Sequence, residues 1–495
     1  MRRLACTFLL MCLYASLAWA QKEPLFTQVF SKEEFAQRRA RLMETIGSDA
    51  VAVLRGNEGM PGYVSFRQGN DFFYLTGVEA PGAIVVLDGG SKRTILFLPP
   101  RNERRERAEG ALLVPDDRAR ELTGIAEIMP VGELTSVLSR LDGTRPVLYA
   151  PMAPQELADM SRDLAVRYNL ERMDDPWDGQ ASREARFIAR IHERFPGFAI
   201  KDLSPILDKM RLVKSAEEIA VLRKSSELAA LGLMEAMRST QPGQYEYELS
   251  ALARFVFMRN GAQGDSYYAL TAAGKNAYMP HYHAGQSQLK DGEMLLLDYA
   301  PEFHYYQADV TRMWPVNGKF SPQQRELYGF YLGCYQAIMK HIRPRVPVST
   351  IGQEAARDME ALLARSKFSS PRHQDAAKQF VAAYKQRAEG ANFRLGHWVG
   401  MATHDVGGYV DQLQPGMVFT IEPALTVPED ETYVRLEDML LVTDSGVENL
   451  SASAPVEIDA IEKLMKEQGL LKRYPRLLAH DAVRAARSAP ANAGR

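Results

Sequence analysis

The chain has 495 residues, 46% of them hydrophobic, and a formal net charge of −2. That length exceeds one typical domain and supplies apolar content for two separate cores. A near-neutral chain with no basic stripe excludes nucleic acid as an expected partner, and the one basic run, Arg101 to Gly110, reads as a solvated surface.

Residues 1–20 have the pattern of an export leader: Arg2 and Arg3, an apolar run, then Ala18-Trp19-Ala20 ahead of Gln21. The run is short for a membrane span, so cleavage near Gln21 and export, to a bacterial periplasm or the medium, are expected with no stable membrane anchor. Cys6 and Cys12 leave with the leader. The remaining Cys334 lies in an apolar helical pattern and is expected to be a buried structural thiol.

Ser31 and Glu34 have the spacing of a capping box opening a helix that carries Phe35, Leu42 and Met43. AVAVLRG, DFFYLTG, AIVVLDG and TILFLPP then read as short strands, and ASREARFIARIHERF reads as a helix near the end of a first domain over 27–200. Ser215 and Glu218 form a second capping box before a long helix that Pro242-Gly243 closes. A further helix ends at Asn260-Gly261. Strands are expected in YYALTAAG, EMLLLDYA and ADVTRMWPV, followed by a helix from Pro322 to about His341. The polar stretch 366–392 reads as a helical excursion, and 473–495, rich in Ala, Arg and Pro, as a disordered tail.

Two stretches of the second half carry matched carboxylates. Asp298 and Asp309 flank a midpoint at Phe303 and His304, where a tight turn would set the two side chains across from each other on one face of a hairpin. Glu422 and Glu437 flank a midpoint at Glu429 and Asp430, just after the turn former Pro428. His397 and His404 lie between, in GHWVGMATHDVG. Taken singly, such residues are more often ordinary ion pairs or core histidines. Like charges brought together twice in apolar surroundings need a compensating cation. Four carboxylates and one imidazole suit Mn²⁺, Co²⁺ or Zn²⁺ better than a thiolate-seeking ion, and two such ions would activate water for hydrolysis.

The order Asp298, Asp309, His397, Glu422, Glu437 resembles that of the dinuclear pita-bread metallopeptidases. DVTRMWPVNGKFSPQQRELY and VRLEDMLLVT are similar to their aminopeptidase P and prolidase branch. RQGNDFFYLTGVEAPGAIVVL and DKMRLVKSAEEIAVLRKSSELA extend the resemblance over most of residues 27–465. It implies an α/β (α+β) chain, with an aminopeptidase P-type N-terminal domain over 27–200 and a pita-bread catalytic domain over 205–465. It also implies two divalent ions, manganese first with cobalt or zinc as alternatives, on Asp298, Asp309, His397, Glu422 and Glu437. His281 and His404 would face the substrate and take part in catalysis, and Glu422 would shuttle a proton. Arg435 and Asp71 would bind substrate, Asp71 by reaching a neighbouring subunit's site in a homo-oligomer (dimer or tetramer). Its alternative reading is a turn-forming acid after Gly69-Asn70.

The expected activity is removal of an N-terminal residue ahead of proline. The alternatives are a prolidase restricted to dipeptides and a metal-retaining peptide-binding module. The chain departs from the family at Phe393, where a histidine is usual, and at Thr426, where tyrosine is common.

Overall fold

The computed structural model describes residues 29–59, 64–156 and 158–474. The leader 1–20 and nearly all of the tail 473–495 lie outside the described residues. By their contacts the described residues form two compact units, one of 29–59 and 64–152 with 183–204 and one of 153–156 and 158–182 with 205–474. The division is therefore not a single cut near residue 200. Segment 153–182 groups with the second unit because Glu156 is ion-paired to Arg211 and the Ala158 carbonyl accepts from the Thr403 amide.

The first unit is built on a six-stranded mixed sheet of β1 (Ala50–Arg55), β2 (Ile84–Asp88), β3 (Arg93–Leu98), β4 (Glu127–Pro130), β5 (Val147–Ala150) and β6 (Ala199–Asp202), in the order β4-β3-β2-β1-β5-β6. β1, β2 and β3 pair antiparallel, and the other pairings are parallel. All five residues of β2 are buried, as continuous apolar strands of a sheet covered on both faces should be. One core gathers Val51, Val53, Val86, Phe97 and Leu148 with Ile191, Phe195 and Phe198. Lys32–Ile46 is a helix capped by the Ser31 hydroxyl, which accepts from the Glu34 amide. The Glu34 carboxylate turns to Arg38.

DFFYLTG, expected as a strand, is the helix Asn70–Thr76. A seven-residue run with every residue buried has no amphipathic period to read. Its C-terminal end is set by Gly77, which takes the left-handed conformation at φ 66° and donates to the Phe73 carbonyl.

In the second unit the strand Met294–Asp298 pairs with Leu270–Ala273 on one side and Thr311–Pro315 on the other. A second group pairs Val418–Ile421 with Asp438–Val442 and Ala424–Val427 with Thr432–Arg435. Helices Ala216–Ser239, Glu246–Arg259 and Pro322–His341 occupy the stretches expected of them, the first and third with complete capping boxes. Cys334 is buried in the third, and burial pushes its thiol up to about 12. Val348–Arg365 adds a helix, and the excursion holds Pro371–Glu389, capped by Ser370. Among the described residues no helix is long and apolar enough to cross a membrane.

Glu156, 1% exposed, lies between Arg211 and Arg162. Burial would raise its carboxyl, but the two guanidinium groups outweigh burial and hold it at about 2. An unfolded glutamate titrates at about 4.3. A folded pKa below the unfolded one stabilises the fold above about pH 4.3, and that contribution is lost as pH falls towards the folded pKa. Thermal melts from pH 6 to pH 2 should therefore show a fall in Tm through this window. Glu156→Gln should be less stable by about 3–5 kcal/mol at neutral pH and should lose part of that acid dependence; an acid limb parallel to that of the unmodified chain would refute the assignment.

Candidate metal centre

Asp298 ends its strand opposite Thr311, and Phe303 stands opposite Tyr306. The turn between them is His304-Tyr305, with φ of 48° and 72°. Two consecutive left-handed residues are what a tight two-residue hairpin turn needs, and Phe303 stays in its strand. The turn is thus one residue later than the midpoint of the aspartates predicts. The register shifts by two, so Asp309 lies diagonal to Asp298 instead of opposite. A shift of two preserves the face, and both carboxylates still point to one place.

In the second hairpin Ile421 faces Asp438 and Ala424 faces Arg435. Both ladders share one register, in which Glu422 stands opposite Glu437 as the spacing predicts. The turn is Pro428–Asp430 followed by Glu431 at φ 47°. Thr311 and Glu437 then exchange backbone hydrogen bonds of 3.3 and 3.1 Å, which bring the two hairpins edge to edge. His397 is held to the same edge: the Thr420 amide donates to its carbonyl at 2.9 Å. Gly396 permits this, since a Cβ there would lie 1.9 Å from the Thr420 carbonyl oxygen.

Asp298, Asp309 and Glu437 are buried, Glu422 is half-buried and His404 is exposed. Donor atoms of Asp298, Asp309 and Glu437 lie within 4.8 Å of one another, as do those of His397, Glu422 and Glu437 and those of Asp309, His397 and His404. His397 Nε2 is 3.4 Å from Asp309 and Glu422 oxygens and 3.7 Å from Glu437. The structure thus brings together all five expected ligands and His404, whose ring stacks on His397 at 3.8 Å.

Two residues that sequence reasoning missed complete the cluster. The Tyr267 hydroxyl lies 2.5 Å from Asp298 Oδ1 and 2.6 Å from Asp309 Oδ1. The Thr311 hydroxyl donates to Glu437 at 2.8 Å. Thr311 had a signal, being two residues beyond Asp309 and so on the same strand face; Tyr267 had none. Arg435 lies among the carboxylates, paired to Asp298 through Nη2 and 3.4 Å from Glu422 through Nη1. His281 lies on an exposed segment after the turn Gly274–Tyr278 and is not among the clustered donors. Asp71 belongs to the first unit, buried in the first turn of Asn70–Thr76.

The electrostatics are those of a cation site. Burial raises Asp298 to about 7 despite Arg435 beside it, and Asp309 adds to the rise. Burial, then Asp309 and Glu422, push Glu437 well above the usual carboxylate range. Burial disfavours a charged His397, but Asp309, Glu422 and Glu437 outweigh it and hold its pKa high. His397 Nδ1 faces the Trp398 carbonyl at 3.2 Å, which leaves Nε2 towards the carboxylates. Among the described residues Nε2 and Glu437 Oε1 are buried with no hydrogen-bond partner. Orphaned donor atoms converging within a few ångströms, with four carboxylates against one guanidinium, fit a divalent metal.

A family model for the aminopeptidase P N-terminal domain matches residues 35–149, and one for metallopeptidase family M24 matches residues 220–444. The Xaa-Pro aminopeptidase of Escherichia coli is 31% identical over 456 residues, covering 88% of this chain and 98% of that protein. The chain belongs to the aminopeptidase P family of M24 metallopeptidases. Human Xaa-Pro dipeptidase is more distant, at 27% over 494 residues, with 87% and 93% covered. Among solved structures, aminopeptidase PepP of Pseudomonas aeruginosa superposes with a TM-score of 0.71 at 29% identity, over 88% of this chain and 98% of that one. Zinc-substituted E. coli aminopeptidase P in complex with product gives 0.70 at 30%, with the same coverage. An α/β chain with an aminopeptidase P N-terminal domain and an M24 catalytic domain is thus the architecture of a metallopeptidase.

The crowded carboxylates make a test whose sign depends on metal. An acid whose folded pKa is raised costs stability at every pH above its unfolded value, so in metal-free protein Glu437→Gln should raise Tm or leave it unchanged. With Mn²⁺ or Zn²⁺ added, the unmodified chain should gain stability, while Glu437→Gln and Asp309→Asn should gain little and hold less metal by elemental analysis. Normal metal content in both variants would remove these residues from the site.

Proposed function

We propose that this metallopeptidase is an Xaa-Pro aminopeptidase that releases the residue preceding proline from peptides longer than two residues. The observation that carries the reading is the convergence of Asp298, Asp309, His397, Glu422 and Glu437 at one edge, with His404 exposed beside them. Proline has no N–H and its ring fixes φ, so a protease that grips an extended backbone by hydrogen bonds is poorly served. Chemistry centred on a carbonyl needs no such grip.

The four carboxylates and His397 would hold two divalent ions, manganese for preference. When bound, these supply positive charge that polarises the scissile carbonyl and makes water acidic enough to attack it. The chain's own residues do the rest. Glu422 is the only one of the four carboxylates that is half-buried instead of buried, so it can meet both the attacking water and the substrate. It takes the proton of the water and passes it to the leaving prolyl nitrogen. His404 is exposed beside His397, its ring stacked on that imidazole at 3.8 Å. From there it stabilises the developing oxyanion by hydrogen bonding. His281 and Arg435 orient the substrate in the same reading. The leader-like residues 1–20 support export, and a homo-oligomer in which Asp71 serves a neighbour's site belongs to the same proposal.

Length preference is read from a cavity of about 800 Å³ that opens beside His397 and His404 and is walled by Val166, Leu170, Phe393 and Phe419. Residues beyond the proline would have room there. Release of the first residue from Xaa-Pro peptides of three to five residues, with Mn²⁺, should be faster than cleavage of Xaa-Pro alone. Glu422→Gln should lower kcat by about 10²–10⁴-fold with little change in KM. Turnover confined to dipeptides would make the chain a prolidase.

Phe393 offers a second test. Its ring packs edge-on to Tyr384 at 5.9 Å and closes on Gly352, where a Cβ would lie 2.4 Å from it. The Tyr384 hydroxyl is buried with no hydrogen-bond partner among the described residues. Phe393→His introduces a donor into the wall. A gain in kcat, by as much as about 100-fold if the imidazole serves as an added oxyanion donor, is the expected result. A gain in Tm with kcat unchanged would mean that the imidazole pairs with Tyr384 and that the phenyl ring costs the enzyme nothing.

A further inference from the structure

Beneath the loop that carries His404 runs a buried chain of alternating charge. Arg162 Nη2 pairs with Glu156 Oε2 at 2.7 Å, Glu156 Oε1 with Arg211 Nη1 at 2.5 Å, Arg211 Nη2 with Asp405 Oδ1 at 2.6 Å, and Asp405 Oδ2 with Lys214 Nζ at 3.2 Å. The side chains of Glu156, Arg211, Asp405 and Lys214 are each 1% exposed. Burying so many charges is a poor way to add stability, because desolvation offsets most of the attraction. Its effect is geometric: each group has one low-energy place.

What that geometry fixes is His404. On one side of it the Thr403 amide donates to the Ala158 carbonyl at 2.9 Å. On the other, Asp405 is gripped by Arg211 and Lys214, and its amide donates to the Trp398 carbonyl at 2.8 Å. Gly400 leaves room for the carboxylate, since a Cβ there would lie 2.0 Å from Asp405 Oδ2. Between these anchors the imidazole stacks face to face on His397, 3.8 Å away and only 9° from parallel. An exposed ring held that closely needs fixed backbone on both sides.

We propose that Arg211 and Asp405 are positioning residues for His404, holding its imidazole over His397 where a substrate carbonyl is met. The catalytic part of this inference rests on the hydrolase reading above; the placement of the ring does not. The ion pairs of both side chains run to each other, to Glu156 and to Lys214. Loss of Asp405's grip should let the His404 ring move without disturbing metal binding.

The test is a double-mutant cycle on the metal-loaded full chain. Asp405→Asn should lower kcat on Xaa-Pro peptides about tenfold to a hundredfold, as a displacement of the order of an ångström does, with metal content unchanged. In a His404→Ala background the same substitution should cost nothing further. A purely structural role would give the same fold-loss in both backgrounds and would overturn the proposal. Arg211→Met removes the cation that two buried acids share, leaving Glu156 with Arg162 and Asp405 with Lys214 alone, and is expected to fold poorly, so Arg211→Lys is the informative variant at that site, with a loss smaller than that of Asp405→Asn. Histidine-selective NMR supplies a readout that needs no turnover: the ring protons of His397 and His404, shifted by their stacking, should move towards unstacked values in Asp405→Asn. Unchanged shifts would overturn the placement. Shifts that move in a chain that cleaves no Xaa-Pro peptide would leave the placement standing and refute the hydrolase reading instead.

Discussion

Arg312 joins the two carboxylate hairpins from below. Its side chain is fully buried, and its guanidinium donates to the carbonyls of Thr311, Glu437, Ser451 and Ala454 and to the Asp438 carboxylate. Asp438 also accepts from Tyr335 and Ser451. A buried arginine with partners for all its donors costs little to retain, whereas removing one partner of such a pair leaves a charge with no counterpart. Because Arg312 contacts the backbone of both Thr311 and Glu437, it fixes the bridge on which the site depends. If that bridge slips, Glu437 leaves the aspartates. The placement of Glu437 beside the aspartates therefore rests on a cation bound to the backbone of both hairpins.

Above Arg312 the electrostatic situation is reversed. Carboxylates that repel one another are held close by strands whose packing is settled elsewhere: Trp314, fully buried with its indole donating to Thr240, and Leu295 and Leu297 on the paired strand. The repulsion has local relief in the Arg435 pairing to Asp298 and in the Tyr267 hydroxyl between Asp298 and Asp309. Burial first, and then the neighbouring carboxylates, still raise both Asp298 and Glu437. The site is strained electrostatically but not conformationally. Strain of that kind is relieved by a proton or by a divalent cation, so the fold stores affinity for metal in the rigidity of its strands.

Much of this was legible in the sequence because strand geometry is simple. A period of two and a midpoint at a turn former were enough to pair Glu422 with Glu437. The same construction missed the first hairpin's register by two, because His304 and Tyr305, unusual residues for left-handed positions, form its turn. An even shift leaves the face intact, so the site survived the error. DFFYLTG was misread for a different reason: a short, wholly buried apolar run carries no period, and tertiary packing decided its helix. Tyr267 and the chain from Arg162 to Lys214 were not legible, since each depends on contacts between segments far apart in sequence. Glu156 and Asp405 are separated by nearly half the protein, and nothing local to either announces the arginine they share.

Residue type alone would have made Glu422 and Glu437 equivalent. They face each other in one register, carry the same carboxyl and lie beside the same histidine. Their surroundings differ: Glu437 is fixed by the Thr311 bridge and accepts the Thr311 hydroxyl, while Glu422 sits in the break between two ladders, partly open to solvent. Burial pushes Glu437 up, whereas His397 and Arg435 overcome the burial of Glu422 and bring its carboxyl below the usual range. A carboxylate that is ionised, reachable and loosely held is suited to carrying a proton. One that is enclosed and hydrogen-bonded is suited to holding a cation. The difference in setting between two identical side chains is thus made by an interruption in pairing two residues long, which leaves Glu422 half-buried while Glu437 is enclosed.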